Sequence, residues 1–285
     1  MEAYEKLGVD YQDLCDPYWL ADDDELFYGF WGSCFNAYRD TKHHKGYEIL
    51  RKWKQRLMQK HGDQSAFQST FERLRLSGVL PESVPPDSVT NDPFFVYTSN
   101  VDAHFHRSFG GDEIYELHGN VERWQCAGVG HGDSPTIREP CDGTWNVEAE
   151  CRFTVDTATM RAQGGTIATC KQCGGKARPN VLMFHDTKWI ANVTDESRYV
   201  AWEAVMEQVP SVRKECEMVV ADLFERCGRD QASLIRINPD FAHCSHPVLT
   251  SNQLVLSIPT RGLEALEAIE QELSGAEPPS SSTSA

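Results

Sequence analysis

Between Gly119 and Val181 the chain offers little from which an ordinary core is built. The stretch is rich in glycine, cysteine and polar residues, and its apolar residues follow neither a strand period nor a helix period. It contains Cys170-Lys-Gln-Cys173-Gly-Gly, two thiols in CxxC spacing followed by glycines. Two thiolates so placed can bind one Zn²⁺, and the glycines permit the tight turn this requires. A CxxC is half of a tetrahedral site. The other half has to come from Cys126, Cys141 or Cys151. The alternative is a set of unliganded thiols with the CxxC as a redox pair. A closed site of four thiolates has no open coordination position, so its metal is structural.

The flanking segments alternate between helix and strand patterns. Leu26, Phe27, Phe30, Cys34, Phe35 and Tyr38 recur at three- and four-residue spacing behind Asp24 as a cap, which predicts an amphipathic helix. Further helices are predicted over 45–60, 64–76, 196–209, 212–227 and 262–273. Short apolar runs at 94–98, 114–117, 181–184, 233–238 and 254–258 read as strands or extended segments. Strands alternating with helices argue for an α/β fold with a mostly parallel sheet. The organisation expected is a large domain in two parts, 1–119 and 181–273, with a metal module at 120–180 and a disordered tail at 274–285.

The run Phe94–Thr98 ends in polar Ser99-Asn100, and ligands of open α/β sheets bind beyond the carboxyl ends of strands. Asn100, Asp102, His104 and His106 fall there. A second short strand delivers His118, followed by Gly119. A histidine just past a strand end, beside a glycine that admits a ligand, is a candidate general base. The competing readings are a loop with solvated histidines, or a metal centre built from Asp102, His104 and His106.

Thr98-Ser-Asn-Val-Asp102 followed by Glu116-Leu-His-Gly119 resembles the TQNID…ELHG pair of the sirtuins, the NAD-dependent protein deacylases. The resemblance runs from about Tyr28 to Leu273. It implies a Rossmann-like large domain with helices on both faces of the sheet, incomplete here, and an inserted zinc module. It implies that the acyl group of an acyl-lysine passes to the ADP-ribose part of NAD, with release of nicotinamide. His118 is then the base. Asn100 lies near the nicotinamide ribose, Asp102 faces the carboxamide, and Ser99 stands where the family usually has glutamine. Asn238, in Ile235-Arg-Ile-Asn238, resembles the adenosine-ribose contact. Arg178-Pro-Asn-Val181-Leu-Met-Phe184 resembles the stretch that pairs with the substrate peptide, with Val181 and Phe184 lining the acyl-lysine tunnel. Cys141-Asp-Gly-Thr-Trp145 resembles a branch of the family, which makes Cys126, Cys141, Cys170 and Cys173 the zinc ligands, with Cys151 as substitute for Cys141. Gly128–Pro140 then reads as an insertion between ligands, and His44 resembles a histidine with a structural, helix-end role.

The pattern is departed from in three ways: two loops lack counterparts, and motif residues are replaced. No counterpart of the family's GAGxS cofactor loop precedes Tyr28, and no GTS-type loop precedes Val209-Pro210-Ser211. Ser99 replaces glutamine, and His185-Asp186 replaces Gly-Glu. The missing loops supply backbone N–H groups to phosphates. Weak or absent turnover is therefore expected of the chain as written, from a parent deacylase. The alternative from another class is a catalytically inactive, zinc-containing sirtuin-like module that binds protein partners.

Net charge is −16 over 285 residues, which argues against sequence-independent nucleic-acid binding and suits basic protein substrates such as histone-like tails. No apolar run approaches the roughly 18 residues of a membrane span. The N-terminal stretch reads neither as a secretory signal nor as a transit peptide. The ten cysteines read as reduced thiols plus one metal site, in the cytoplasm or nucleus.

Overall fold

The computed structural model describes residues 8–60, 65–84, 93–133, 135–163, 168–208, 234–240 and 255–275. The helix expected over 212–227, and the tail from 276, lie outside them. The tail expected at 274–275 is the last turn of a helix that runs on to Gly275.

Three helices open the described chain: α1 (Tyr11–Leu14), α2 (Trp19–Asp22) and α3 (Asp24–Asp40). In α1, Asp10 and Asp13 each accept the other's backbone N–H, a capping box. The cap of α3 is Asp23, whose carboxylate accepts the Leu26 N–H at 3.2 Å. The sequence pointed to Asp24. That residue is instead the partner of Lys176, at 2.8 Å. Helix α4 (Lys45–Lys60) begins just after His44, whose Nδ1 accepts the Gly46 N–H at 3.0 Å, the bond an N-cap side chain makes. Helices α5 (Ser65–Leu76), α6 (Val193–Gln208) and α7 (Gly262–Gly275) follow. The strands are β1 (Val96–Thr98), β2 (Ile114–Glu116), β3 (Gly119–Cys126), β4 (Thr144–Asn146), β5 (Val155–Asp156), β6 (Arg161–Ala162), β7 (Ala177–Val181), β8 (Leu234–Ile237) and β9 (Val255–Ile258).

The chain forms two compact units: Met1–Lys42 with Thr98–Arg107 and Glu116–Val193, and His43–Tyr97 with Ser108–Tyr115 and Thr194–Ala285. This grouping differs from the division made along the sequence. The first helices belong with the cysteine-bearing stretch, because that stretch completes its core with the aromatic face of α3.

In the first unit, β3 is the central strand of an antiparallel sheet in the order β4-β3-β7. Tyr28 of α3 is wholly buried. Its ring lies parallel to Trp124 of β3 and nearly parallel to Phe153, with centroids 6.4 Å away in each case. Its hydroxyl donates to the Ala177 carbonyl at 2.5 Å. Gly29 lets the helix lie against β6, since a Cβ there would sit 2.0 Å from the Met160 carbonyl oxygen. Each large apolar side chain buried in this core contributes roughly 1.5–3 kcal/mol. Arg39, near the end of α3, forks onto Glu122 at 2.8 and 2.6 Å and also donates to the carbonyls of Glu148, Ala149 and Cys151. At the other end of the helix, Arg161 forks onto Asp23 at 2.5 Å through both nitrogens.

In the second unit, β8 and β9 pair in parallel from Leu234↔Val255 to Ile237↔Ile258. A parallel pair needs a long crossover connection, the mark of an α/β sheet. Phe95, Tyr97, Tyr115, Tyr199 and Trp202 form an aromatic cluster. Glu270 of α7 accepts from Trp53 Nε1 at 2.9 Å and from Arg56 at 2.5 and 3.2 Å, which clasps α7 to α4.

Candidate active site and metal centre

β1 and β2 form a two-stranded sheet, and the segments that follow them stay together. The Thr98 carbonyl accepts the Leu117 N–H, and the Val101 carbonyl accepts the Val121 N–H, both at 2.9 Å. The segments 98–101 and 117–121 therefore run side by side in the same direction. His118 stands on one, and Ser99, Asn100 and Asp102 stand on or next to the other. Ser99 and Asn100 are exposed, while Asp102 and His118 are half-buried. Among the described residues none hydrogen-bonds the His118 ring. Gly119 has φ +70° and its Cα faces the Asn180 carbonyl, where a Cβ would come to 2.0 Å from the oxygen. Only glycine fits that conformation and that gap.

Asn120 shapes the next turn. Its Oδ1 accepts the N–H groups of Glu122 and Arg123, each at 2.9 Å, at the irregularity in the β3–β7 register. Its amide also donates to Glu116, whose carboxylate faces His106 at 3.2 Å. The Glu116–Asn120 pair thus closes across the turn that carries His118. Nothing in the sequence reading singled out Asn120. Its four-residue offset from Glu116 was the available signal.

Asp102 holds its own loop. Its Oδ1 accepts the His104 N–H at 2.9 Å, and its Oδ2 lies 3.4 Å from His104 Nδ1. Ala103 between them adopts φ +57°, strain that this turn sustains. His104 is buried, with Nε2 2.8 Å from the Tyr38 carbonyl. His104 and His106 are thus turned to different partners. Among the described residues, the group able to hold a metal ion is Cys126, Cys141, Cys170 and Cys173, not Asp102 with these histidines.

The four Sγ atoms lie within 4.8 Å of one another, and Cys126 and Cys173 are 3.7 Å apart. Zn–S bonds of about 2.3 Å in tetrahedral array require sulfurs roughly 3.8 Å apart. Backbone N–H groups of Gly128, Gln172 and Gly175 point at Cys126, Cys170 and Cys173, each at 3.4 Å. Such donors favour the thiolate. The Gly175 N–H brings the Cys173 thiol down to about 7. Cys141, hydrogen-bonded first to Cys173 and crowded by the other thiols, is pushed up to about 12. Thiols gathered so closely resist ionising together, and a divalent cation relieves that conflict. The donor set therefore fits zinc. Cys151 lies outside the group, and its carbonyl holds Arg39. The insertion 128–140 folds on itself through a Val129↔Ile137 bridge.

Of the stretch that resembles a substrate strand, residues 178–181 lie in β7, an edge strand among the described residues, and 182–184 follow it. Val181 is 3 % exposed in the core, whereas Phe184 is 42 % exposed and meets Tyr11 edge-on at 6.5 Å. Leu182 N–H donates to the His118 carbonyl at 2.9 Å, which ties this stretch to the histidine. Gln125 and Asn180 form a buried amide pair at 2.8 Å that also engages the backbone of Lys188 and Ile190. Asn238 belongs to the second unit, where its Oδ1 accepts the Asp240 N–H at 2.9 Å and closes the turn after β8. The later loop, at 209–211, lies outside the described residues. Among the described residues of 8–42, all regular structure is helical, and no strand leads into a glycine-rich loop.

This fold is that of Sir2 proteins. A solved Sir2 homologue in complex with NAD superposes with TM-score 0.52 at 17% identity, covering 93% of this chain and 78% of that one. Residues 88–200 match the Sir2 family. They include both segments of the site and the four cysteines. Human mitochondrial NAD-dependent protein lipoamidase sirtuin-4 is 30% identical over 101 residues, 33% of this chain and 32% of that protein. An NAD-dependent protein deacetylase of Thermotoga maritima is 27% identical over 89 residues, 31% of this chain and 28% of that protein. The chain thus spans about a third of the length of the curated relatives it matches. Over residues 88–200 the chain is thus similar in sequence to the Sir2 family, and its fold is similar to that of solved Sir2 homologues.

Proposed function

We propose that this chain is an NAD-dependent protein-lysine deacylase of the sirtuin type, with zinc as a structural metal. The single observation that supports the reading is the side-by-side run of 98–101 and 117–121, in which the backbone segment bearing Asn100 and leading to Asp102 lies next to the one bearing His118. NAD, when bound, supplies the ribose that receives the acyl group and the nicotinamide that leaves. His118 takes the proton from a ribose hydroxyl at its unengaged ring. Asn100 orients the ribose from the exposed loop, with Ser99 beside it. Asp102, fixed by its bond to His104, presents its half-buried carboxylate to the carboxamide. Asn238 is assigned to the adenosine ribose. Phe184 and Val181 are assigned to the acyl-lysine tunnel, Val181 from the buried end of β7 and Phe184 from the exposed turn that follows it.

Cys126, Cys141, Cys170 and Cys173 hold the zinc, which fastens a stretch poor in apolar residues and takes no part in proton transfer. The substrate class is a lysine-bearing, histone-like protein tail, suited to a chain of net charge −16. The described cysteines are all unpaired thiols, in keeping with a reduced compartment, cytoplasmic or nuclear. No helix among the described residues is long and apolar enough to cross a membrane.

The test is nicotinamide release that requires both NAD and an acylated peptide, and that disappears in His118→Ala. Turnover is expected to be slow, because the described residues offer no glycine-rich phosphate loop. Calorimetry giving sub-micromolar NAD binding would overturn that expectation. Release that persists without His118 would overturn the assignment of the base.

A further inference from the structure

Arg178 and Asp186 bracket the stretch that follows β7. Both side chains are 1% exposed, and Arg178 Nη2 lies 2.6 Å from Asp186 Oδ2. The contact is electrostatic. Neither atom has a hydrogen-bond partner of good geometry among the described residues. Asp186 Oδ1 accepts the Lys188 N–H at 3.0 Å, and Arg178 Nη1 reaches the Val181 carbonyl only at 3.4 Å. A buried pair so thinly supported is a poor source of stability, because desolvating two charges costs more than one imperfect contact returns. Burial accordingly lowers the Arg178 pKa in spite of the carboxylate.

The pair does something else. It closes the turn 182–185, in which His185 holds the left-handed φ of +55°, a conformation that persists only where the surroundings impose it. Asp16 meets His185 from outside at 3.1 Å. Within the turn, Leu182 spends its N–H on the His118 carbonyl at 2.9 Å, and Phe184 spends its N–H on the Cys15 carbonyl at 3.0 Å. Release of the turn therefore frees the backbone of His118 on the side that faces β7.

We infer that Arg178 and Asp186 are positioning residues: their buried contact locks the 182–185 turn so that Leu182 fixes the backbone of His118. This deepens the deacylase reading and rests on it. The experiment compares the wild-type chain with Arg178→Met/Asp186→Leu, which keeps the buried volume without charge, and with Asp186→Asn, which keeps the acceptor for Lys188. Amide exchange at Leu182 and the ring resonances of His118 are read by NMR without NAD. Nicotinamide release is read separately.

Both variants are expected to stay folded and to retain zinc. Leu182 exchange is expected to accelerate roughly tenfold or more, the His118 ring resonances to move, and kcat to fall by a similar factor at unchanged peptide KM. Asp186→Glu is expected to restore part of the loss. Wild-type exchange at Leu182 and unchanged His118 resonances in both variants would overturn the inference. So would failure of both variants to fold, which would make the pair a folding element. If wild-type protein releases no nicotinamide while the NMR changes occur, the deacylase reading fails and the positional coupling stands.

Discussion

Replacing Gly119 by alanine puts a methyl group where the Asn180 carbonyl oxygen already lies. The added Cβ would sit 2.0 Å from that oxygen, and real Cβ contacts essentially never fall below 3.0 Å, so the strands must part by about 1 Å. The oxygen is backbone and cannot swing away. Alanine at φ +70° adds its own cost, roughly 1–2 kcal/mol for the left-handed conformation. Parting the strands also stretches the 2.9 Å bond from Leu182 to His118 and strains the 2.8 Å Asn180–Gln125 amide pair. Each buried hydrogen bond lost costs about 1 kcal/mol or more. The sum is on the order of 3–5 kcal/mol, or a drop in Tm of about 10 °C at roughly 2–4 °C per kcal/mol. Gly143 is the control. It has φ +86° but nothing within 4 Å of its added Cβ, so Gly143→Ala meets only the conformational cost. Thermal melts of the two variants, followed by near-UV circular dichroism, separate the terms. A Gly119→Ala protein that melts with the Gly143→Ala protein would refute the claim that β3 and β7 meet too closely for a side chain.

Purified chain is expected to carry one zinc by atomic absorption, lost in Cys141→Ser and Cys173→Ser but kept in Cys151→Ser. Loss in Cys151→Ser with retention in Cys141→Ser would reverse the ligand assignment. Arg39→Met removes a fork onto Glu122 and donors to three carbonyls, and is expected to cost about 2–4 kcal/mol in urea unfolding. A cost within the scatter of surface substitutions would show that this end of α3 is held by its apolar face alone. The Arg56 hydrogen bonds hold the Glu270 carboxyl below its ordinary 4.5. A carboxyl lowered on folding stabilises the fold above about pH 4.5, and that contribution fades as pH falls through the folded value. Acid titration followed by Trp53 fluorescence is expected to show this loss, and Glu270→Gln to flatten it. An unchanged acid limb in Glu270→Gln would place the effect elsewhere.

Much of the secondary structure was legible because local signals decide it. The helix at 45–60 was legible to its ends from its apolar spacing, and the short apolar runs at 114–117 and 254–258 contain the strands Ile114–Glu116 and Val255–Ile258. The cap of α3 was misread by one residue, since Asp22, Asp23 and Asp24 offer the same chemistry to local inspection. Lys176, 152 positions further on, takes Asp24 and leaves the cap to Asp23. The four-cysteine group was nameable from spacing and resemblance, but the choice of Cys141 over Cys151 is a matter of distance in space.

What the sequence determined by itself was the inventory: which residues carry thiol, imidazole and carboxylate chemistry, and which runs form helices and strands. Spacing of three or four residues, and the residue types beside it, are enough for that. Tertiary structure alone decided which distant side chains meet. It gave the cysteine-bearing stretch the aromatic face of α3 as its core, turned His104 toward the Tyr38 carbonyl, and brought Leu182 to His118. Those outcomes depend on burial and close packing between segments far apart along the chain, which no local pattern of residues encodes.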